Sequence, residues 1–149
     1  MLNLDKFRSL FTPLPGNHYL QVSTCRDEIT EVLEELMDKV DGELNLVLYN
    51  DDNLKFNQPF RAVPRDHDNV ILKDVFAKHE NQEMLIKLSY LTLANTANII
   101  IIEKKGLLNI EELKIKLELA EFRSANEIEM IDGYDLVIAK KMHMWGAGL

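Results

Sequence analysis

Apolar residues along the 149-residue chain change their spacing several times, and each change predicts an element. In the first stretch Leu2, Leu4, Phe7, Leu10 and Phe11 have the spacing of a short amphipathic helix, which Pro13 and Pro15 terminate. Residues 1–17 therefore read as an arm that packs on the domain or on a partner. His18–Ser23 is a short β-type run. Beyond it Ile29, Val32, Leu33, Leu36, Met37 and Val40 recur at the three-and-four spacing of one helical face. Ser23 or Thr24 is the expected cap, Asp27 and Glu28 suit the positive end of the helix, and Gly42 is expected to close it in a left-handed conformation. Leu44–Tyr49 is a second strand. Strand, helix and strand within about 30 residues are the signature of a parallel sheet.

Phe60–Val63 predicts a short third strand closed by Pro64, then Arg65-Asp66-His67-Asp68 a charged turn and Val70–Phe76 a fourth strand. A helix over Glu80–Ala97 follows from Met84, Leu85, Leu88, Leu91 and Asn95. Asn98–Glu103 is the fifth strand, and its consecutive isoleucines imply burial on both faces. Gly106 turns the chain, and Asn109 caps a helix that carries Ile110, Leu113, Leu117 and Ala120 on one face. Glu127–Ile131 and Tyr134–Lys140, joined by Asp132-Gly133, predict an antiparallel hairpin around a two-residue turn. The expectation is one α/β domain over 1–149: Rossmann-like, three-layered, with a mostly parallel sheet ending in an antiparallel β-hairpin. Residues 1–17 form its arm and 142–149 its tail.

Composition narrows the function classes. Apolar residues at 46% and charged residues at 28% suit a globular domain with a real core. The longest apolar run, Ile99–Ile102, is far short of the roughly 20 residues of a membrane span. The start of the chain shows no basic region leading into an apolar stretch, so no secretory signal is read. A lone cysteine, Cys25, excludes an internal disulfide and fits a reducing compartment, with the cytoplasm expected. A net charge of −8 argues against nucleic acid as a partner.

The order of elements resembles the class I S-adenosylmethionine-dependent methyltransferases, in which the last strand of a terminal hairpin inserts beside the fifth strand. The similarity covers His18–Met142. Val70-Ile71-Leu72-Lys73-Asp74-Val75-Phe76-Ala77-Lys78-His79 looks like the family's fourth strand, which ends near an acid and a histidine. Leu91–Lys104 looks like the helix and fifth strand that follow. The resemblance implies S-adenosylmethionine as cofactor, held by a turn after the first strand that carries an acid and several glycines. Here that turn is Gln21-Val22-Ser23-Thr24-Cys25-Arg26-Asp27, and each absent glycine puts a Cβ where the ligand would lie. The resemblance further implies that Asp51, or Asp52, accepts from the ribose hydroxyls; Asn50-Asp51-Asp52-Asn53 also reads as an ordinary turn. Ser23, Thr24 and Asp74 complete the candidate cofactor contacts. The resulting expectation is a methyltransferase-like protein without methyltransferase activity and without a cofactor, acting as a binding or scaffold module. The alternative is an active small S-adenosylmethionine-dependent methyltransferase with a divergent loop.

Other residues have two readings. Lys73, Asp74 and His79 lie where open α/β sheets place ligands, and an acid with a histidine can do acid–base work; the same residues also suit a solvated sheet edge. Asp66-His67-Asp68 suggests a metal site only superficially, because adjacent turn residues rarely converge on one ion, and no metal is expected. Arg61 and Arg65 suit an anionic substrate or plain solvation. Cys25, near a helix start, has no histidine to activate it. Met142–Leu149 carries methionines and a tryptophan, which either fold back or meet a partner, so a homodimer through the arm or the tail is the expected assembly.

Overall fold

Four successive isoleucines divide the molecule into its layers. In the computed structural model, which describes residues 2–50, 60 and 63–142, Ile99 and Ile101 enter one apolar cluster while Ile100 and Ile102 enter another. A strand whose alternate residues feed two cores has both faces covered, as its composition requires. The strand is β4 (Leu93–Lys104), and it lies inside a six-stranded sheet. The other strands are β1 (His18–Ser23), β2 (Glu43–Leu48), β3 (His67–Lys73), β5 (Phe122–Ile128) and β6 (Tyr134–Lys141). Their order across the sheet is β2-β1-β3-β4-β6-β5. The first four run parallel; β6 pairs antiparallel with both β4 and β5.

The helices divide between the faces. α1 (Asp5–Ser9) and α2 (Glu28–Lys39) pack Phe7, Ile29, Leu33 and Met37 against Ile71, Ile100 and Ile102. On the opposite face α3 (Gln82–Thr92) and α4 (Ile110–Leu119) pack Leu85, Ile86, Leu113 and Leu117 against Val70, Leu72, Ile99 and Ile101. Burying one such side chain fully contributes about 1.5–3 kcal/mol, so the two clusters dominate the fold's stability. The arm is spent on its own domain: Leu4, Phe7 and Phe11 are buried, and the Phe7 and Phe11 rings meet edge-on at 5.1 Å.

Several boundaries differ from the sequence reading. α2 is capped by Asp27, not by Ser23 or Thr24: Asp27 Oδ1 accepts from the backbone N–H groups of Ile29 (3.0 Å) and Thr30 (3.2 Å), and the Thr30 hydroxyl accepts from Asp27 N–H (3.1 Å). After α2 the left-handed residue is Asp41 (φ 54°) rather than Gly42. Gly42 is needed for a close approach, since a Cβ there would stand 2.6 Å from Asn17 O and 2.9 Å from Met37 Sδ. Phe60 is buried but not in a strand, Val63 is also outside one, and 61–62 lie outside the described residues. His67 and Asp68 belong to β3 and not to a turn, whereas Val75 and Phe76 follow the strand.

The largest displacement is at α3, which ends at Thr92, five residues before the expected limit. Leu93–Ala97 instead opens β4: Leu93 pairs with His67 and Asn98 with Asn69, so β4 bulges between them, with Thr96 at φ 72°. Tertiary pairing wins there over a spacing that suits a helix. The terminal hairpin exists, but Ile128 pairs with Leu136, so its connection is longer than the two-residue Asp132-Gly133 turn. A turn inside it is closed by Tyr134 N–H donating to Ile131 O (3.2 Å), with Gly133 at φ 82°. The Asn109 cap stands as expected, its Oδ1 accepting from Glu112 N–H (3.1 Å).

Candidate functional site

The chain leaves β1 toward β2 on one side, and β3 lies on the other. With α2 on one face and α3 on the opposite one, the carboxyl ends of β1 and β3 form a switch point, the place where open α/β sheets leave a crevice for ligands. Register places Ser23 beside Lys73 at this edge. Alternation then puts Gln21, Ser23 and Lys73 on the same face, under the start of α2.

Lys73 fills that position with charge. Its Nζ lies 2.7 Å from Asp27 Oδ2 and 2.7 Å from Asp74 Oδ2, and stands 5.3 Å over the Tyr134 ring. Its side chain is 6% exposed, against 21% for each carboxylate. Burial pulls the ammonium's pKa down, yet the Asp27 and Asp74 carboxylates outweigh burial and hold it above the ordinary lysine range. Asp27 therefore does two tasks, capping α2 with one oxygen and holding Lys73 with the other. The amides that open at a helix start, and that favour an anionic or polar ligand, are bonded here to the protein's own carboxylate. Asp74 reaches Lys73 from a left-handed backbone (φ 61°), fixed by its N–H donating to Ile102 O (3.1 Å).

Glu103 orders the loop that follows. It is 1% exposed, its Oε2 accepts from Ala77 N–H (2.9 Å), and burial pushes its carboxyl above the ordinary range. Gln82 Nε2 donates to Phe76 O (3.0 Å) from the start of α3. His79 is held in the same loop, 4% exposed, its Nδ1 accepting from Asn81 N–H (2.8 Å). The proton of the neutral ring is then on Nε2, which is buried without a partner among the described residues, 6.1 Å ring to ring from Tyr49. Burial pulls its pKa below the ordinary histidine value. The Gln21 amide and Ser23 Oγ are likewise buried and unpartnered. Such groups cost about 1–3 kcal/mol each, so this end of the sheet carries a concentrated polar deficit.

Of the expected site residues, the structure brings Ser23 and Asp74 to the crevice, with Lys73 between them. Thr24 is half-buried in the turn and Cys25 is exposed. Asp51, Asp52 and Arg61 lie outside the described residues, as does the tail from His143 onward. Arg65 is exposed. The acid–base pairing of Asp74 with His79 does not form, since Asp74 is spent on Lys73 and His79 packs near Tyr49. Asp66, His67 and Asp68 are engaged separately: Asp68 Oδ2 accepts from His18 N–H (2.8 Å), His67 sits between Asn45 and Thr92, and Asp66 Oδ2 lies 3.8 Å from His18 Nδ1 and 3.9 Å from His67 Nδ1. No group able to hold a metal is found among the described residues. Sequence reasoning missed Asp27, Glu103 and Tyr134 as site residues. Asp27 carried a signal, because Asp-x-x-Thr before an apolar-periodic run is a capping pattern.

No family model matches this chain, and no curated protein matches it in sequence. Solved structures do match in shape. A S-adenosylmethionine-dependent methyltransferase from Aquifex aeolicus superposes with a TM-score of 0.71 at 14% identity, over 93% of this chain and 90% of that one. A chain from the complex of the Haloferax volcanii Trm112 methyltransferase activator with the putative methyltransferase gives 0.67 at 9%, over 94% and 89%. Haemonchus contortus phosphoethanolamine N-methyltransferase 2, in complex with S-adenosyl-L-methionine, gives 0.68 at 8%. That match covers 94% of this chain but 52% of the other, so this chain spans about half the length of that enzyme. The architecture is the class I methyltransferase-like fold, in a small form. Among the described residues, Phe60 and Val63 add no strand to the sheet. No helix among the described residues is long and apolar enough to cross a membrane.

Proposed function

We propose that this domain is a methyltransferase-fold binding module without methyltransferase activity, its crevice closed by its own ion pair. The buried Lys73, held by Asp27 and Asp74 at the switch point, carries the reading. A ligand entering there must displace an ammonium from two carboxylates, and breaking such a buried pair costs about 3–5 kcal/mol. The turn Ser23–Asp27 adds a side chain at every position and has no glycine to bring backbone to a ligand. With a net charge of −8 and an exposed thiol at Cys25, the module suits protein partners in the reducing cytoplasm rather than nucleic acid.

Thermal unfolding with S-adenosylmethionine and S-adenosylhomocysteine, each at about 1 mM, tests it. A ligand at 100 times its dissociation constant adds about 2.7 kcal/mol, several degrees in midpoint for a domain of this size. The expected midpoint does not move; a shift of several degrees overturns the reading.

One observation favours the second reading, an active enzyme with a divergent loop. The unpartnered Gln21 amide and Ser23 hydroxyl leave β1 with hydrogen-bonding capacity that a bound S-adenosylmethionine would use. On that reading the cofactor binds, and Asp51→Ala abolishes the binding.

A further inference from the structure

The face opposite α2 carries a groove of about 700 Å³ between α3 and α4. Ile86 and Tyr90 form part of its wall, and Leu91 and Leu119 stand at it with 53% and 80% of their surface exposed. Ile115, 58% exposed, lies one turn before Leu119 and continues the apolar stripe along α4. Exposed leucines scattered singly need no explanation, but a groove flanked by projecting leucines marks an interface. We propose that this face docks a second copy of the same chain.

Two features select that occupant. The first is shape: the face offers both a concave apolar groove and projecting leucines beside it. Under a two-fold axis Leu119 of each copy enters the groove of the other, which is the self-complementarity an isologous contact demands. The second is charge. Two molecules of net charge −8 repel over most of their surfaces. The lining of this groove carries both signs, Glu83 and Glu121 beside Lys87 and Lys116, so it is less one-sidedly acidic than the molecule as a whole. Because the lining carries both signs, a two-fold contact can bring a lysine of one copy near a glutamate of the next. Lys116 is already steadied by Gln82 (2.8 Å) and Glu112 (3.3 Å), which lowers the entropy lost on docking. The arm is unavailable for this purpose, its aromatic residues being buried in their own domain. The proposal stands whether or not the switch-point crevice takes a cofactor.

Light scattering and sedimentation equilibrium on the full chain, from about 1 to about 100 μM, provide the test. The expected result is a concentration-dependent rise to the mass of two chains, with Leu119→Asp and Leu91→Asp each weakening association at least tenfold. Far-UV circular dichroism, and the thermal midpoint measured at about 1 μM where the wild type is also largely monomeric, should be unchanged in Leu119→Asp, because that side chain lies mostly in solvent. A wild-type monomer at 100 μM overturns the proposal, and leaves the groove to another protein's helix or to the chain's own C-terminal residues. A dimer that both variants leave intact overturns it as well, because the contact then lies elsewhere.

Discussion

The sheet carries a polar cluster near each end of β1 and β3, and the two clusters are built differently. At the amino end, Asn45 Nδ2 donates to His67 Nε2 (2.8 Å), His67 Nδ1 donates to Thr92 Oγ1 (2.9 Å), and that hydroxyl donates to Val63 O (3.1 Å). Every member has its partner. At the carboxyl end the Lys73 ion pair is complete, yet Gln21, Ser23 and His79 keep unpartnered polar atoms around it. A satisfied network specifies structure, whereas an unsatisfied one is a cost that a purely structural role does not justify. The first cluster is complete within the fold, whereas the second keeps unpartnered polar atoms at the switch point.

Three measurements break or sharpen that contrast. The largest effect is expected from Lys73→Ala, which leaves Asp27 and Asp74 facing each other without their cation and should lower unfolding free energy by about 3–5 kcal/mol. A loss under about 1 kcal/mol in urea unfolding would show that the pair is solvated rather than buried. Gln21→Met should act in the opposite direction. It removes an amide with no partners while keeping the volume, so a gain of about 1 kcal/mol is expected. If instead the variant is destabilised, Gln21 has a partner and the contrast rests on Ser23 and His79 alone.

The smallest effect concerns pH. Burial holds both His67 and His79 below the ordinary histidine value. As pH falls through about 6.5 the unfolded chain takes up protons that the folded rings refuse, so each histidine's contribution is present above that pH and is lost below it. Between about pH 7.5 and about pH 5.5, stability should therefore fall on this account. Glu103, whose carboxyl is raised, works in the opposite direction at lower pH, so the informative quantity is the difference from His67→Asn and His79→Asn. Each substitution should flatten the slope; an unchanged slope would mean that neither ring is shielded from solvent.

Much of this was legible in the chain, for identifiable reasons. β1 falls on the expected His18–Ser23, and the Ile99–Ile102 run announced a strand covered on both faces. Both features are local, and they agree with their tertiary setting. The boundary of α3 was not legible, because Leu93–Ala97 keeps a helix-compatible spacing and only pairing with β3 draws it into β4. The position of His67 failed for a related reason: a charged triplet reads as a turn until Asn45 and Thr92 are seen to enclose its ring. The crevice was half legible. Ser23, Lys73 and Asp74 were placed at strand ends, but the Asp27–Lys73 contact joins residues from two different βα units, and no periodicity reports it.

The place of β6 in the sheet has a consequence for how the molecule is made. β6 lies between β4 and β5, so the last of the described strands in chain order is an interior one. Until residues 134–141 have cleared the ribosome, β4 offers the nascent chain a bare, isoleucine-rich edge, and β5 has no strand to pair with. Lys141 then closes the assembly, its Nζ donating to Tyr90 O and Leu93 O, both at 2.7 Å, where α3 hands over to β4. Synthesis therefore holds the domain open to chaperones, and to wrong edge pairings, until nearly all of its described chain exists.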